Sequence, residues 1–208
     1  METSLNLRLL YTYDLQGDIE LSPRLYSFIR ALKNDSPPNI KTLLLDLGNS
    51  CDPDVWHCER TGGRSMLLAM DAMGYDAANV VGSLSPAVYV KATEQVSVTF
   101  IDADHSHNVE NIAISALPIN AHRDNGVNII LAPSGETRFE DNRVFFAPVE
   151  KGQIGDAQLI NHAFEWTVHA MPANMPPDPT IAGAVEFILG EARYYAGRIN
   201  GATSEDTR

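Results

Sequence analysis

The chain has 208 residues, 44% of them hydrophobic and 20% charged, the balance of a folded protein large enough for one sizeable core. Its formal net charge is −12 and its isoelectric point near 4.8, so long-range repulsion argues against nucleic acid or an anionic membrane as partner. There is no apolar run of ~18 residues and no basic or apolar leader, and the only cysteines are Cys51 and Cys58; a cytoplasmic protein with two free thiols is the expectation.

"LNLRLLYTY" (5–13) is rich in β-formers, with Leu5, Leu7, Leu9 and Tyr11 in alternation, and reads as a strand. Ser22 followed by Pro23 is a helix start, and Leu25, Phe28, Ile29 and Leu32 give 23–34 an apolar stripe. "DSPPN" breaks this helix, and "KTLLLDL" (41–47) is a short apolar run suited to a strand covered on both faces. "GGRSMLLAMDAMG" is a buried helix closed by Gly74, "YDAANVVG" a strand, and "SPAVYVKAT" a helix capped by Ser85 with Pro86 in its first turn. The first 95 residues therefore alternate strand and helix, which implies parallel strands with helical crossovers.

The second half changes character. "QVSVTFIDA", "VENIAISAL", "GVNIILA", "NRVFFAPV" and "DAQLINHAFEWTVHAM" are strand candidates with little helix between them. In the last, Ile160, Phe164, Trp166 and Val168 share one face and Asn161, Glu165, Thr167 and His169 the other. "MPANMPPDP" leads to a closing helix capped by Asp178 and opened by Pro179, with Ile181, Val185, Ile188, Leu189 and Tyr195 as its stripe. One domain over 1–199 with a polar tail at 200–208 is expected, of α/β class: two packed mixed sheets with helices outside.

Four segments, in order, give the chain a family resemblance. "LLYTYDLQGDI" stands where calcineurin-like metallophosphoesterases have a strand ending in Asp-x-His-Gly. "LLLDLGNS" stands for Asp-x-Gly-Asp-Ser, and "AMDAMGYDAANVVGSLSP" for a helix, Gly-Tyr-Asp, a strand and Gly-Asn-His-Glu. "NRVFFAPVEKGQIGDAQL" is similar to a late strand, a Gly-x-x-Gly turn and a strand. The chain most resembles the N-terminal domain of the 5′-nucleotidase branch over residues 6–165, shortened between Gly82 and Val127. The resemblance implies that family's four-layer sandwich; the substrate domain that follows it in that branch is not expected here. In such enzymes two divalent metals at the strand tips, one carboxylate bridging them, activate water for attack on a phosphate ester.

Laid on this sequence, the resemblance implies a site that has lost most of its ligands. Asp14 matches the first carboxylate. Gln16 replaces a histidine, Asn49 the bridging carboxylate, and Ser83 and Leu84 the Asn-His pair, while "LAPSGETRF" has no histidine where the family supplies more. Scaffold positions match instead: Gly17, Asp46, Gly48, Ser50, Gly74, Tyr75, Asp76 and Gly82. Asp46 is expected to brace its turn. A neutral amide cannot supply the charge that holds two dications together.

Other residues could bind metal. "CDPDVWHCER" places Cys51, Asp52, Asp54, His57 and Cys58 in one loop, with donors that suit Zn²⁺ but at a spacing that is not a standard zinc motif. The plainer reading is a hydrogen-bonded loop around a packed Trp56. In "DADHSH" (102–107), His105 and His107 would share one side of a strand near Asp102 and Asp104, or lie in a solvated loop. His122, His162 and His169 have no sequence partners. "EKGQIGD" allows close backbone approach but lacks a phosphate-loop continuation.

The expectation is a non-catalytic metallophosphoesterase-like protein serving as a binding or interaction module, its partner another protein or a phosphorylated small molecule. No cofactor is expected beyond a single weakly held Mg²⁺, Mn²⁺ or Zn²⁺. The rival is a metal-dependent phosphoesterase with relocated ligands, drawn from Asp14, the 51–58 loop and the 102–107 cluster.

Overall fold

A computed structural model describes residues 6–118, 126–161 and 163–202 of the chain. Its first half runs β1 (Leu7–Thr12), α1 (Ser22–Asn34), β2 (Lys41–Asp46), α2 (Trp56–Thr61), α3 (Arg64–Ala72), β3 (Ala77–Asn79), α4 (Pro86–Thr93) and β4 (Thr99–Ile101). The second half adds β5 (His107–Val109), β6 (Ile112–Ser115), β7 (Val127–Pro133), β8 (Arg138–Glu140), β9 (Arg143–Phe146), β10 (Gln153–Ile160), β11 (Ala163–Ala170) and α5 (Pro179–Ala202).

Strand β1 is buried along its length because it lies inside a six-stranded sheet ordered β11-β10-β1-β2-β3-β4. Strands β1 to β4 are parallel, and β10 and β11 close the sheet antiparallel. A second, five-stranded sheet has the order β5-β6-β7-β9-β8 and is also mixed. Alternation along β1 sorts its side chains between two cores. Leu7, Leu9 and Tyr11 meet Ile129, Leu131 and Phe146 of the second sheet. Leu10 packs with Phe28 of α1, Met66 of α3 and Val185 of α5. The described helices all lie on the outer face of the first sheet, so the described residues form three layers of the expected sandwich.

Several local readings need correction. Helix α1 is not capped by Ser22: a 3-10 turn (Ile19–Leu21) runs directly into it, so Ser22 is buried within the first turn. The single long strand expected over 156–171 is two. Asn161 takes a left-handed backbone (φ 50°), which asparagine tolerates, and Ile160 then pairs with Ala163 in a hairpin. Ile160, opposite Ala163, therefore does not share a face with Phe164, Trp166 and Val168, and Trp166 and Val168 are exposed on an edge strand. Helix α5 continues to Ala202, past the expected boundary at 199, and residues 203–208 lie outside the described set. The caps at Ser85 and Asp178 are present: Val88 N donates to Ser85 Oγ, and Thr180 N to Asp178 Oδ1.

A buried Arg8 joins the sheet to the helices, donating to Asp156 at 2.7 and 3.0 Å and to the Leu32 carbonyl at the end of α1. His169, solitary in the sequence, sits 3.1 Å from the same carboxylate.

Gly155 of the Gly-x-x-Gly turn has no space for a side chain, because a Cβ there would overlap the Tyr11 ring. That ring cannot step aside: it packs on Phe146 at 4.6 Å between centroids, and its hydroxyl bonds Thr137 Oγ1. Gly155→Ala is therefore expected to destabilise the fold by about 2–4 kcal/mol, read as a lower urea midpoint at unchanged slope.

Candidate functional site

Three loops leave the carboxyl ends of β1, β2 and β3 and meet there. The β1 and β2 loops are laced by backbone: Asp14 N donates to Gly48 O (3.1 Å), Gln16 N to Asn49 O (3.1 Å) and Gly17 N to Ser50 O (2.8 Å). Asp14, Gln16 and Asn49 all take left-handed backbone conformations, with φ of 60°, 52° and 55°. They are three of seven described non-glycine residues that do so, and all three are positions where the family resemblance places a metal ligand.

Asn49 Nδ2 donates to Asp14 Oδ1 across the gap between the loops. A carboxylate only accepts, so the Asn49 amide presents its nitrogen to Asp14. Gln16 is exposed, and its hydrogen bond in the site comes from its backbone. In the third loop Ser83 N donates to Val80 O, while Leu84 packs against the apolar cluster under the helices. Its Cδ2 would lie 3.1 Å from a Cβ on Gly63, so the leucine wedges the β3 loop against the start of α3.

Beneath the loops Asp46 is fully buried. Its Oδ2 accepts from Gly48 N at 3.0 Å and its Oδ1 from Thr12 Oγ1 at 3.2 Å; Thr12 in turn lies 3.0 Å from the Tyr75 hydroxyl. Burial raises the Asp46 carboxyl to about 8, opposed by these two hydrogen bonds, and pushes the Tyr75 phenol upward as well. Asp46 thus braces its turn, as the sequence suggests. Asn79, absent from the sequence reading, pins the β2 loop to β3: its Nδ2 donates to Leu47 O, and its Oδ1 accepts from Val81 N. An asparagine ending a strand of alanines was the available signal.

The 51–58 segment differs from expectation in two ways. Residues 56–61 form α2 rather than an extended loop, which places Cys51 and Cys58 with their Cα atoms 5.7 Å apart in a disulfide; the expected free thiols are therefore corrected. Trp56 is only partly packed: it is 42% exposed, edge-on to His57 and with the Arg193 guanidinium over its ring. His57 is buried, with Nδ1 2.8 Å from Ser65 Oγ and Nε2 2.9 Å from the Gly17 carbonyl. Burial lowers its pKa, and the Gly17 hydrogen bond opposes this only in part. Asp52 Oδ1 accepts from Asp54 N, a local turn, and Asp54 is exposed.

The 102–107 residues do not act together. His105 lies in the loop after β4, bonded to Asp102 at 2.9 Å and stacked on Tyr89 of α4. His107 belongs to β5 and lines a different cavity of about 520 Å³, with Lys41 and Asp76, at the amino ends of β2 and β3. His122 and His162 lie outside the described residues. Above the strand tips is a cleft of about 530 Å³ whose lining includes Asn49, Cys51, Glu59, Gly63, Ser83 and Ser85, with no Lys or Arg among the described lining residues. Among the described residues, the group of three His, Cys, Asp or Glu side chains with ligand atoms close enough for one ion is Cys51, His57 and Cys58.

Two mixed sheets with helices on the outer face give a metallophosphoesterase-like fold. The chain is similar to the sulfate thiohydrolase SoxB of Thermus thermophilus, with a TM-score of 0.67 and 11% identity over 89% of this chain and 60% of that one. It is also similar to the NAD nucleotidase NadN of Haemophilus influenzae, with a TM-score of 0.57 and 8% identity over 93% of this chain and 60% of that one. It thus spans about 60% of the length of both structures. No family model and no curated protein sequence matches it.

Asp46 holds a proton that the unfolded chain releases between its ordinary pKa of about 4 and about 8. The native state binds more protons across that window, so this carboxyl's contribution is complete below pH ~4 and is lost as pH rises through ~8. Wild-type stability is expected to fall by about 1–3 kcal/mol between pH 5 and 8.5, and Asp46→Asn, which keeps an acceptor for Gly48 N, to flatten that fall in urea titrations. Asn49→Asp replaces the donor to Asp14 with a second carboxylate. It is expected to cost about 1–2 kcal/mol at pH 8 in EDTA, measured by thermal unfolding, with partial recovery on adding Mn²⁺.

Proposed function

We propose that this chain is a non-catalytic metallophosphoesterase-like domain that works as a binding module through its loop face. The observation that carries the reading is the Asp14–Asn49 hydrogen bond: the carboxylate is engaged by an amide N–H where a dimetal site requires a second anion. With Gln16, Asn49, Ser83 and Leu84 all neutral at the positions the resemblance marks, one anionic side chain, Asp14, is left to balance two dications. At most one weakly held Mg²⁺, Mn²⁺ or Zn²⁺ fits such a donor set.

Of the two partner classes the sequence leaves open, the cleft favours a protein segment over a phosphorylated small molecule. Phosphate recognition draws on cationic side chains, and this lining supplies Glu59 without an opposing Lys or Arg. A net charge of −12 acts in the same direction, favouring a neutral or basic partner surface.

The rival phosphoesterase reading draws its relocated ligands from Asp14, Asp52, Asp54, His57 and the 102–107 cluster with His105 and His107. Asp52 caps its own turn, His105 is paired with Asp102 and His107 lines a separate cavity, which argues against these donors converging on Asp14.

Protein kept non-reducing is expected to show no hydrolysis of chromogenic phosphate mono- or diesters above a protein-free control with Mn²⁺, Mg²⁺ or Zn²⁺. Metal-dependent turnover that disappears in Asp14→Ala would overturn the proposal. The combined variant Gln16→His, Asn49→Asp, Ser83→Asn and Leu84→His is expected to gain at least one Mn²⁺ per chain by calorimetry where the wild type shows none.

A further inference from the structure

We propose that Cys51, His57 and Cys58 form a thiol-gated site for a divalent zinc-class ion, closed in the disulfide form and opened by a dithiol reductant. It does not rest on the binding-module reading, since none of its three residues carries that argument.

The two sulfurs and a ring nitrogen of His57 lie within 4.8 Å of one another. In a tetrahedral zinc site with two sulfurs and one nitrogen, ligand atoms stand ~3.5–3.8 Å apart, so once the S–S bond is gone the sulfurs move apart by roughly 1.7 Å and the sulfur–nitrogen distances close by about 1 Å at most. Hydrogen bonding fixes the histidine tautomer. The Gly17 carbonyl can only accept, so Nε2 carries the hydrogen. Nδ1 is therefore the unprotonated nitrogen, accepting from the Ser65 hydroxyl, and its lone pair becomes available when that hydroxyl turns away. An imidazole that donates its other N–H to a backbone carbonyl is the usual outer arrangement of a metal-binding histidine, and here that arrangement exists beforehand. Two thiolates also supply the charge that the Asp14–Asn49 pair lacks.

Access to the sulfur pair is asymmetric. Cys51 is half-buried, Cys58 is nearly inaccessible, and both line the cleft above the strand tips. An incoming thiolate attacks Cys51 Sγ, forming a mixed disulfide while the Cys51–Cys58 bond breaks and Cys58 leaves as thiolate. The second thiol of the reductant then displaces Cys51, so two electrons and two protons pass to the protein and the reductant becomes the disulfide. Metal binding afterwards releases the thiol protons. Three protein ligands leave the fourth position for water from the cleft.

The full chain is reduced with a dithiol, freed of reductant anaerobically and titrated with Co²⁺. We expect one Co²⁺ per chain, with the visible bands of a tetrahedral site and thiolate-to-metal charge transfer in the near ultraviolet, displaced by one equivalent of Zn²⁺. The oxidised protein is expected to give neither signal, Cys51→Ser to lose the stoichiometric charge-transfer band, His57→Ala to weaken binding at least tenfold, and Ser65→Ala to retain it. Absence of stoichiometric Co²⁺ in the reduced wild type overturns the proposal, as does equal binding by the oxidised protein. Wild-type affinity in a folded His57→Ala also overturns it; should that variant not fold, the reduced-against-oxidised contrast in the wild type decides.

Discussion

The carboxyl of Asp46, sealed beneath the tip of β2, is the constraint on which the loop face depends. It accepts from Gly48 N and from Thr12, and through Thr12 it reaches Tyr75. One side chain thereby ties the ends of two parallel strands to the segment leading into the third. Removing any partner would leave a buried polar group unsatisfied, which costs more than the hydrogen bond itself contributes. The turn at Gly48 is set by this cage, and the turn places Asn49 opposite Asp14 and lays the β1 loop along the β2 loop. The site's geometry is thus dictated from below, by groups that never face the cleft.

That arrangement separates the groups that hold the loops from those that face the cleft. The residues that hold the loops, Thr12, Asp46, Tyr75 and Asn79, bond to one another or to backbone and are largely shielded from the cleft. Residues facing the cleft contribute little to this network through their side chains: Gln16 participates through its backbone alone, and Leu84 by packing. Substitution at the exposed positions leaves the buried cage intact, so the left-handed conformations of Asp14, Gln16 and Asn49 remain supported.

Legibility in the sequence followed the same division. Strands β1 and β2 and the caps of α4 and α5 were readable because periodicity, proline and cap residues are local signals. The role of Asp46 was readable because aspartate two residues before glycine at a strand end has few uses other than accepting the turn's N–H. The disulfide was not, since Cys51 and Cys58 meet only because α2 turns residues 56–61 back toward the β2 loop, a tertiary outcome. Arg8 resisted for a related reason: its partners, Asp156 and the Leu32 carbonyl, are 148 and 24 residues away. The hairpin at Asn161 was missed because the apolar residues on both sides keep one apparent alternation through the turn.

Loops that converge at strand tips stay together only where something links them. Here that task falls to neutral and covalent links. The Asn49 amide bridges to Asp14 with an N–H, and the Cys51–Cys58 bond ties the β2 loop to α2 against Gly17, where an added Cβ would meet Cys58 Sγ at 2.9 Å. His57 closes the remaining side by bonding the Gly17 carbonyl. Loops held in this way are joined across one junction by an amide, a disulfide and an imidazole.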